Sequence, residues 1–160
     1  MTLNDAYLIS QIAAAGLVVP TLIYLALQIR QNTKQLRAAA RYQFIEATGQ
    51  MNALTGGSKQ AASVLRRGLE SLEGLDPDEA MQFFIIVGQF YQIHSAMFEL
   101  NRDKLLPDSQ WSNVRHDLTS LLSSPGGLHV WKSLGEKSFD STFVEYVELL
   151  RSRTETAPTR

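Results

Sequence analysis

The residues that could carry catalysis or bind a metal are few, and their spacing does not suit either task. The 160-residue chain has three histidines, His94, His116 and His129, and no cysteine. None of the histidines lies in the His-Glu-x-x-His or Glu-x-x-His spacing that places two metal ligands on one helix face. Without cysteine, disulfides, thiolate metal sites and cysteine nucleophiles are excluded. We therefore predict no metal, no cofactor and no enzymatic activity.

Glycine pairs, serines and overall charge add no further chemistry. Gly56-Gly57 and Gly126-Gly127 do not follow a strand in a Walker A or G-x-G-x-x-G pattern, so they are predicted to end helices rather than to bind phosphate. No serine lies in a nucleophile-elbow sequence. The net charge is -1 and the pI about 6.3, which disfavours nucleic acid as a partner.

The segment that would position the chain is an apolar run over residues 6–29, which holds no charged residue. As a helix it would be about 36 Å long at ~1.5 Å per residue. That length exceeds a hydrocarbon core of about 30 Å, so the run predicts a transmembrane helix. A buried core helix and a cleaved signal peptide are the alternatives. The signal is disfavoured because Asp5, and no basic residue, precedes the run.

The residues beside the run predict its orientation. Arg30, Lys34, Arg37 and Arg41 follow it, whereas Asp5 precedes it. The positive-inside rule then places the N-terminus outside and the rest of the chain in the cytoplasm. The four cations recur at intervals of four, three and four, which places them on one helix face at the depth of the lipid headgroups.

The N-terminal half of the run also carries small residues at helical spacing. Such a face lets a second helix approach closely, so it is a possible helix-packing face. Its members are Ala6, Ser10, Ala13 and Ala14.

Helical periodicity continues beyond the run, and no strand alternation of useful length is found. The first helix is predicted from Asn4 to Leu54. Asp76-Pro77-Asp78-Glu79 is a capping-box start for a helix to about Asn101. That helix is the most apolar segment after the run, but its glutamines favour a central bundle helix over a second span. A speculative pocket lies along it, formed by Phe90, Tyr91, His94, Phe98 and Trp111, although a hydrogen-bonded core position is the commoner role for His94.

The predicted fold is therefore all-α. A single N-terminal transmembrane helix continues into a compact cytoplasmic bundle of about five to six helices. The predicted domains are an anchor over 1–29, a helical cytoplasmic domain over 30–153 and a disordered tail over 154–160.

One stretch carries a family resemblance. YLALQIRQNTKQLRAAA, residues 24–40, resembles the signature Y-L-A-x-Q-I-R-Q-N-T-x-x-L-R of a widespread uncharacterised family of small bacterial proteins. Its members have an N-terminal hydrophobic helix and no assigned activity. The resemblance implies a protein of the bacterial inner membrane and transfers no catalytic or binding residue.

The functional prediction is an accessory, scaffold or interaction subunit at the membrane. Its expected partners are the lipid bilayer and either other membrane protein subunits or further copies of itself. A ligand- or lipid-responsive regulatory module that uses the aromatic pocket is one alternative, and an enzyme with an unrecognised site is another.

Overall fold

The computed structural model describes residues 3–155, without the side chains at 3, 5–6, 8–10, 12–15, 17, 136 and 154–155. This part of the chain forms six α-helices and no strand, which confirms the all-α prediction and the number of helices. The helices are α1 (Leu3–Gly56), α2 (Lys59–Glu70), α3 (Pro77–Arg102), α4 (Asp108–Ser123), α5 (Pro125–Ser138) and α6 (Ser141–Glu155).

The chain divides into two compact units, Met1–Ala39 and Ala40–Arg160. The first unit holds only the N-terminal part of α1, whereas the second holds the end of α1 and the other five helices. Within the described residues, no helix is both long and apolar enough to cross a membrane. The span predicted over 6–29 therefore stays a prediction.

Two predicted features lie outside the described residues. The side chains of the small-residue face, Ala6, Ser10, Ala13 and Ala14, are among those not described. So is the larger part of the predicted tail, residues 156–160, whereas the backbone of 154 and 155 still belongs to α6.

Local sequence signals mark where several helices of the second unit begin. The capping box predicted at the start of α3 is present, because Asp76 accepts a hydrogen bond from the Glu79 amide and the Glu79 side chain reaches back to the Asp76 amide. Ser58 and Ser124 cap α2 and α5 in the same manner with their hydroxyls. Asp140 accepts from the backbone of the first turn of α6. These bonds satisfy amides that have no partner inside the helix.

The main core of the second unit lies between α2, α3, α4, α5 and α6. Phe83 and Tyr91 of α3 are fully buried at its centre, against Leu118 of α4, Trp131 of α5 and Phe143 of α6. The end of α1 packs against two smaller clusters. Those clusters contain Met51, Ala61, Ile86, Met97, Leu106 and Val114 as buried members. The bundle therefore includes the end of α1, from Ala40 onward, as a structural element.

The helix break predicted around Gly126-Gly127 is present, but it lies just before the two glycines. The break lies at Ser124, and both glycines are buried in the first turn of α5. A Cβ atom on Gly126 would lie 1.9 Å from the carbonyl oxygen of Gly68 in α2 and 2.9 Å from the Phe83 ring. Gly126 is required because the backbones of α2 and α5 approach too closely there for any side chain.

Candidate functional site

The N-terminal unit exposes apolar side chains on every face of α1. All side chains from 18 to 32 are exposed. At about 100° per residue, fifteen residues make about four turns of the helix, so every face of this stretch is exposed. A helix that is apolar all round belongs in a membrane or in the interior of an assembly. The large exposed side chains in this stretch are Val18, Val19, Leu22, Ile23, Tyr24, Leu25, Leu27 and Ile29.

The polar side chains described near the two ends of the run have partners within the same helix. The Gln11 amide donates to the Tyr7 hydroxyl at 2.9 Å, and the Gln28 amide donates to the Tyr24 hydroxyl at 2.7 Å. Just beyond the run, the Thr33 hydroxyl donates to the Ile29 carbonyl at 2.9 Å. Because an unpaired polar group is costly outside water, these bonds lower the free energy of removing the run from solvent.

A basic groove follows the exposed apolar stretch on the same unit. It is an open groove of about 690 Å³, and its side chains come from a single stretch of α1: Ala26, Leu27, Ile29, Arg30, Gln31, Thr33, Lys34 and Arg37. All three of its cations are exposed, as is Arg41 in the second unit. No ion pair neutralises the three cations among the described residues. The sequence holds no Asp or Glu from 6 to 45, so no acidic residue lies close to them along the chain.

Tyr91, one of the five predicted pocket residues, is part of the main core. It is fully buried, and its hydroxyl donates to the Gly127 carbonyl of α5 at 2.9 Å. Its ring lies 5.1 Å from the Trp131 ring, centroid to centroid. Burial raises the pKa of the Tyr91 phenol, so the phenol keeps its proton and acts as a hydrogen-bond donor.

His94 is also buried, with 7% of its surface exposed. Its Nδ1–H donates to the Phe90 carbonyl at 2.7 Å. Burial lowers the pKa of the imidazole, against smaller opposing effects of that hydrogen bond and of the Asp117 carboxylate on α4. The neutral, Nδ1-protonated ring is therefore the favoured form, as a hydrogen-bonded core histidine requires.

The other three predicted pocket residues pack in different places. The Phe98 and Trp111 rings lie 6.2 Å apart, and both contact the Tyr146 ring of α6, at 5.0 and 5.6 Å. Phe90 instead packs on the cluster around Met51. The structure thus distributes the four aromatic residues of the predicted pocket over three apolar clusters. It brings Phe98 next to Trp111, and Phe90 next to His94 with 6.3 Å between the ring centroids.

Two polar contacts of the second unit were not predicted. Arg67 of α2 bonds the Glu79 carboxylate of α3, and this bond is the main cause that lowers the pKa of Glu79. On α6, Glu148 accepts from the Trp131 indole at 2.9 Å and from Arg151 at 2.8 Å. Burial alone would raise the pKa of Glu148, but the two hydrogen bonds together with the charges of Arg151 and Lys132 outweigh it, and the pKa is lowered. Glu148 therefore forms a contact between α5 and α6.

No potential metal site appears among the described residues, in which no three His, Asp or Glu side chains are grouped. Comparisons with known proteins return no match to a family model, to a curated protein or to a solved structure. The family resemblance of residues 24–40 therefore stays a prediction.

Proposed function

We propose that this protein is a membrane-anchored accessory or scaffold subunit. Residues 6–29 cross the bacterial inner membrane with the N-terminus outside, and the helical second unit contacts other membrane protein subunits or further copies of the chain in the cytoplasm. The observation that carries this proposal is the exposure of apolar side chains around the whole circumference of α1 from 18 to 29. Leaving such a surface in water costs roughly 25 cal/mol of free energy per Å² of apolar area.

The two tyrosine–glutamine pairs support a bilayer as the surrounding of this run. Tyr7 and Tyr24 are 17 positions apart, or about 25 Å along a helix with a rise of ~1.5 Å per residue. That separation approaches the thickness of a hydrocarbon core of about 30 Å, and tyrosines are enriched at both of its interfaces. Their hydroxyls each have a partner within α1, as hydrocarbon requires of polar groups.

An interaction role is supported by how the second unit uses its polar residues. Tyr91 and Glu148, which have the chemical types of catalytic side chains, bond to a neighbouring helix, and His94 bonds to a carbonyl of its own helix. On the surface of the same unit, Met81 and Ile85 of α3 are each 62% exposed one turn apart. This pair offers an apolar contact to another protein.

The counter-observation is that no helix of the described residues is long and apolar enough to cross a membrane, so the test addresses insertion directly. The native chain is expressed in bacteria, and its membranes are extracted with alkaline carbonate. A matched pair of variants places two lysines either in the run, Val18→Lys with Val19→Lys, or on the second unit, Met81→Lys with Ile85→Lys.

We expect the native chain and the second-unit variant to remain in the membrane pellet, whereas the run variant is released. Each lysine near the middle of a span costs about 2.5–3.5 kcal/mol, so the pair costs roughly 5–7 kcal/mol. Release of the native chain by carbonate would refute the anchor. Because the chain has no cysteine, single cysteines placed at Asn4 and Ser58 then report the orientation by their labelling from outside.

The accessory role is tested on protein extracted in mild detergent, by size-exclusion chromatography and mass spectrometry of the eluting peak. The proposal expects reproducible co-elution with a larger membrane assembly or a defined homo-oligomer. Elution as a lone monomer would contradict it.

A further inference from the structure

The basic groove of α1 has a chemical composition that suits one class of ligand, and this inference rests on the proposed membrane anchor. We propose that the groove binds the phosphate of anionic phospholipids, with phosphatidylglycerol as the representative lipid. The groove would then select lipids of one charge in addition to setting the orientation of the chain.

The three cations of the groove converge on one face. Arg30, Lys34 and Arg37 lie within about 60° of one another around the helix axis at ~100° per residue. The two arginines carry planar guanidinium groups, which can each form two parallel hydrogen bonds to phosphate oxygens, and the lysine carries a compact ammonium charge. Because no ion pair of the described residues occupies them, these donors do not have to leave a protein partner to bind phosphate.

The other part of the groove is apolar. Leu27 and Ala26 lie one turn before the cations and line the same groove. They are continuous with the exposed apolar stretch that begins at Val18. An anionic phospholipid matches both parts, because its phosphate meets the cations while the start of its acyl chains meets the apolar side chains. Free phosphate would use only the basic part, and a nucleic acid backbone would leave the apolar part uncovered.

The experiment measures lipid affinity on the purified full chain in a neutral detergent, by native mass spectrometry. The probes are phosphatidylglycerol, phosphatidylcholine, inorganic phosphate and glycerophosphoglycerol, the headgroup without acyl chains. The groove variant is Arg30→Gln, Lys34→Gln and Arg37→Gln together. Its matched control, Lys59→Gln, Lys132→Gln and Lys137→Gln, removes the same charge from exposed positions on α2 and α5.

We expect the native chain to prefer phosphatidylglycerol to phosphatidylcholine. The groove variant should lose on the order of 100-fold in affinity for phosphatidylglycerol, because each of the three neutralised cations accounts for about fivefold. The control variant should stay within about threefold of the native chain.

Three results would overturn the proposal. They are equal binding of both lipids by the native chain, an equal loss in the groove and control variants, and binding of inorganic phosphate or glycerophosphoglycerol as tight as that of the lipid. The proposed anchor fails separately. Release by carbonate together with a preference for phosphatidylglycerol would refute the membrane anchor and support the lipid site. Retention in the membrane without a lipid preference would support the anchor and refute the lipid site.

Discussion

Replacing Gly126 by alanine should strongly destabilise the second unit, because of the close approach of α2 and α5. The added Cβ would lie 1.9 Å from the Gly68 carbonyl oxygen and 2.8 Å from the Gly68 carbonyl carbon. Both are backbone atoms, so no side-chain rotation relieves the contact. The helices must separate by more than an ångström, which would loosen the packing of α2 on the core around Phe83.

The magnitude follows from two opposing effects. Overpacking a close-packed interior costs about 1–3 kcal/mol and occasionally more. Alanine in a helix gains up to about 1 kcal/mol over glycine. Since the clash is with backbone, we expect the upper end of the overpacking range to dominate and a net loss of about 2–3 kcal/mol in the free energy of unfolding.

Urea unfolding of the full chain in mild detergent, followed by tryptophan fluorescence, measures this loss. Trp131 lies in α5 and is 2% exposed, so its emission reports whether α5 is packed. The matched control is Gly49→Ala in α1, where a Cβ would meet nothing within 4 Å. The control should be as stable as the native chain or slightly more stable. If Gly126→Ala unfolds at the same urea concentration as the control, the inferred approach of α2 and α5 is refuted.

Two further predictions concern buried polar groups of α3. Tyr91→Phe should lower the free energy of unfolding by about 0.5–1.5 kcal/mol, because it removes the hydrogen bond from the phenol to the Gly127 carbonyl; an unchanged urea midpoint would argue against that bond. The pKa of His94 is lowered in the folded state, so at mildly acidic pH the unfolded chain binds a proton at this residue more readily than the folded chain does. The stability that the neutral ring contributes is complete above the ordinary pKa of about 6.5 and is lost as the pH falls below it. Urea midpoints measured between pH 7.5 and 5.5 should therefore fall more steeply for the native chain than for His94→Gln, and parallel curves would contradict this assignment.

Features that depend on neighbouring residues were predictable from the sequence. The Asp76–Glu79 capping box lies within one turn, so its residues suffice to predict where α3 begins. The extent of α1 follows from unbroken helical periodicity, and its Leu3–Gly56 bounds differ little from the predicted ones. The buried, hydrogen-bonded position of His94 agrees with the commoner role of a histidine on an apolar helix.

Features that depend on packing between helices were not predictable. Gly126 has the local signal of a helix end, and only the approach of Gly68, far away in the sequence, explains its role. Arg67 and Glu79 are on different helices, so no spacing along the chain relates them. The α6 ring that packs on Phe98 was not predictable for the same reason, whereas the neighbouring ring of Trp111 on α4 belongs to the predicted set.

The two units differ in the reach of their side-chain hydrogen bonds, and this difference bears on the proposed function. In the second unit some of these bonds cross between helices, as from Tyr91 to Gly127 over 36 positions, whereas others, such as that from Thr119 to Arg115, stay within one helix. In the apolar run the described glutamines find partners four residues away on the same helix. A bilayer imposes this second arrangement, because a single helix surrounded by lipid has no neighbour to supply a donor or acceptor. Bonds between helices in the bundle, beside bonds within single helices, are therefore what the proposed anchor requires of the chain beyond the basic groove.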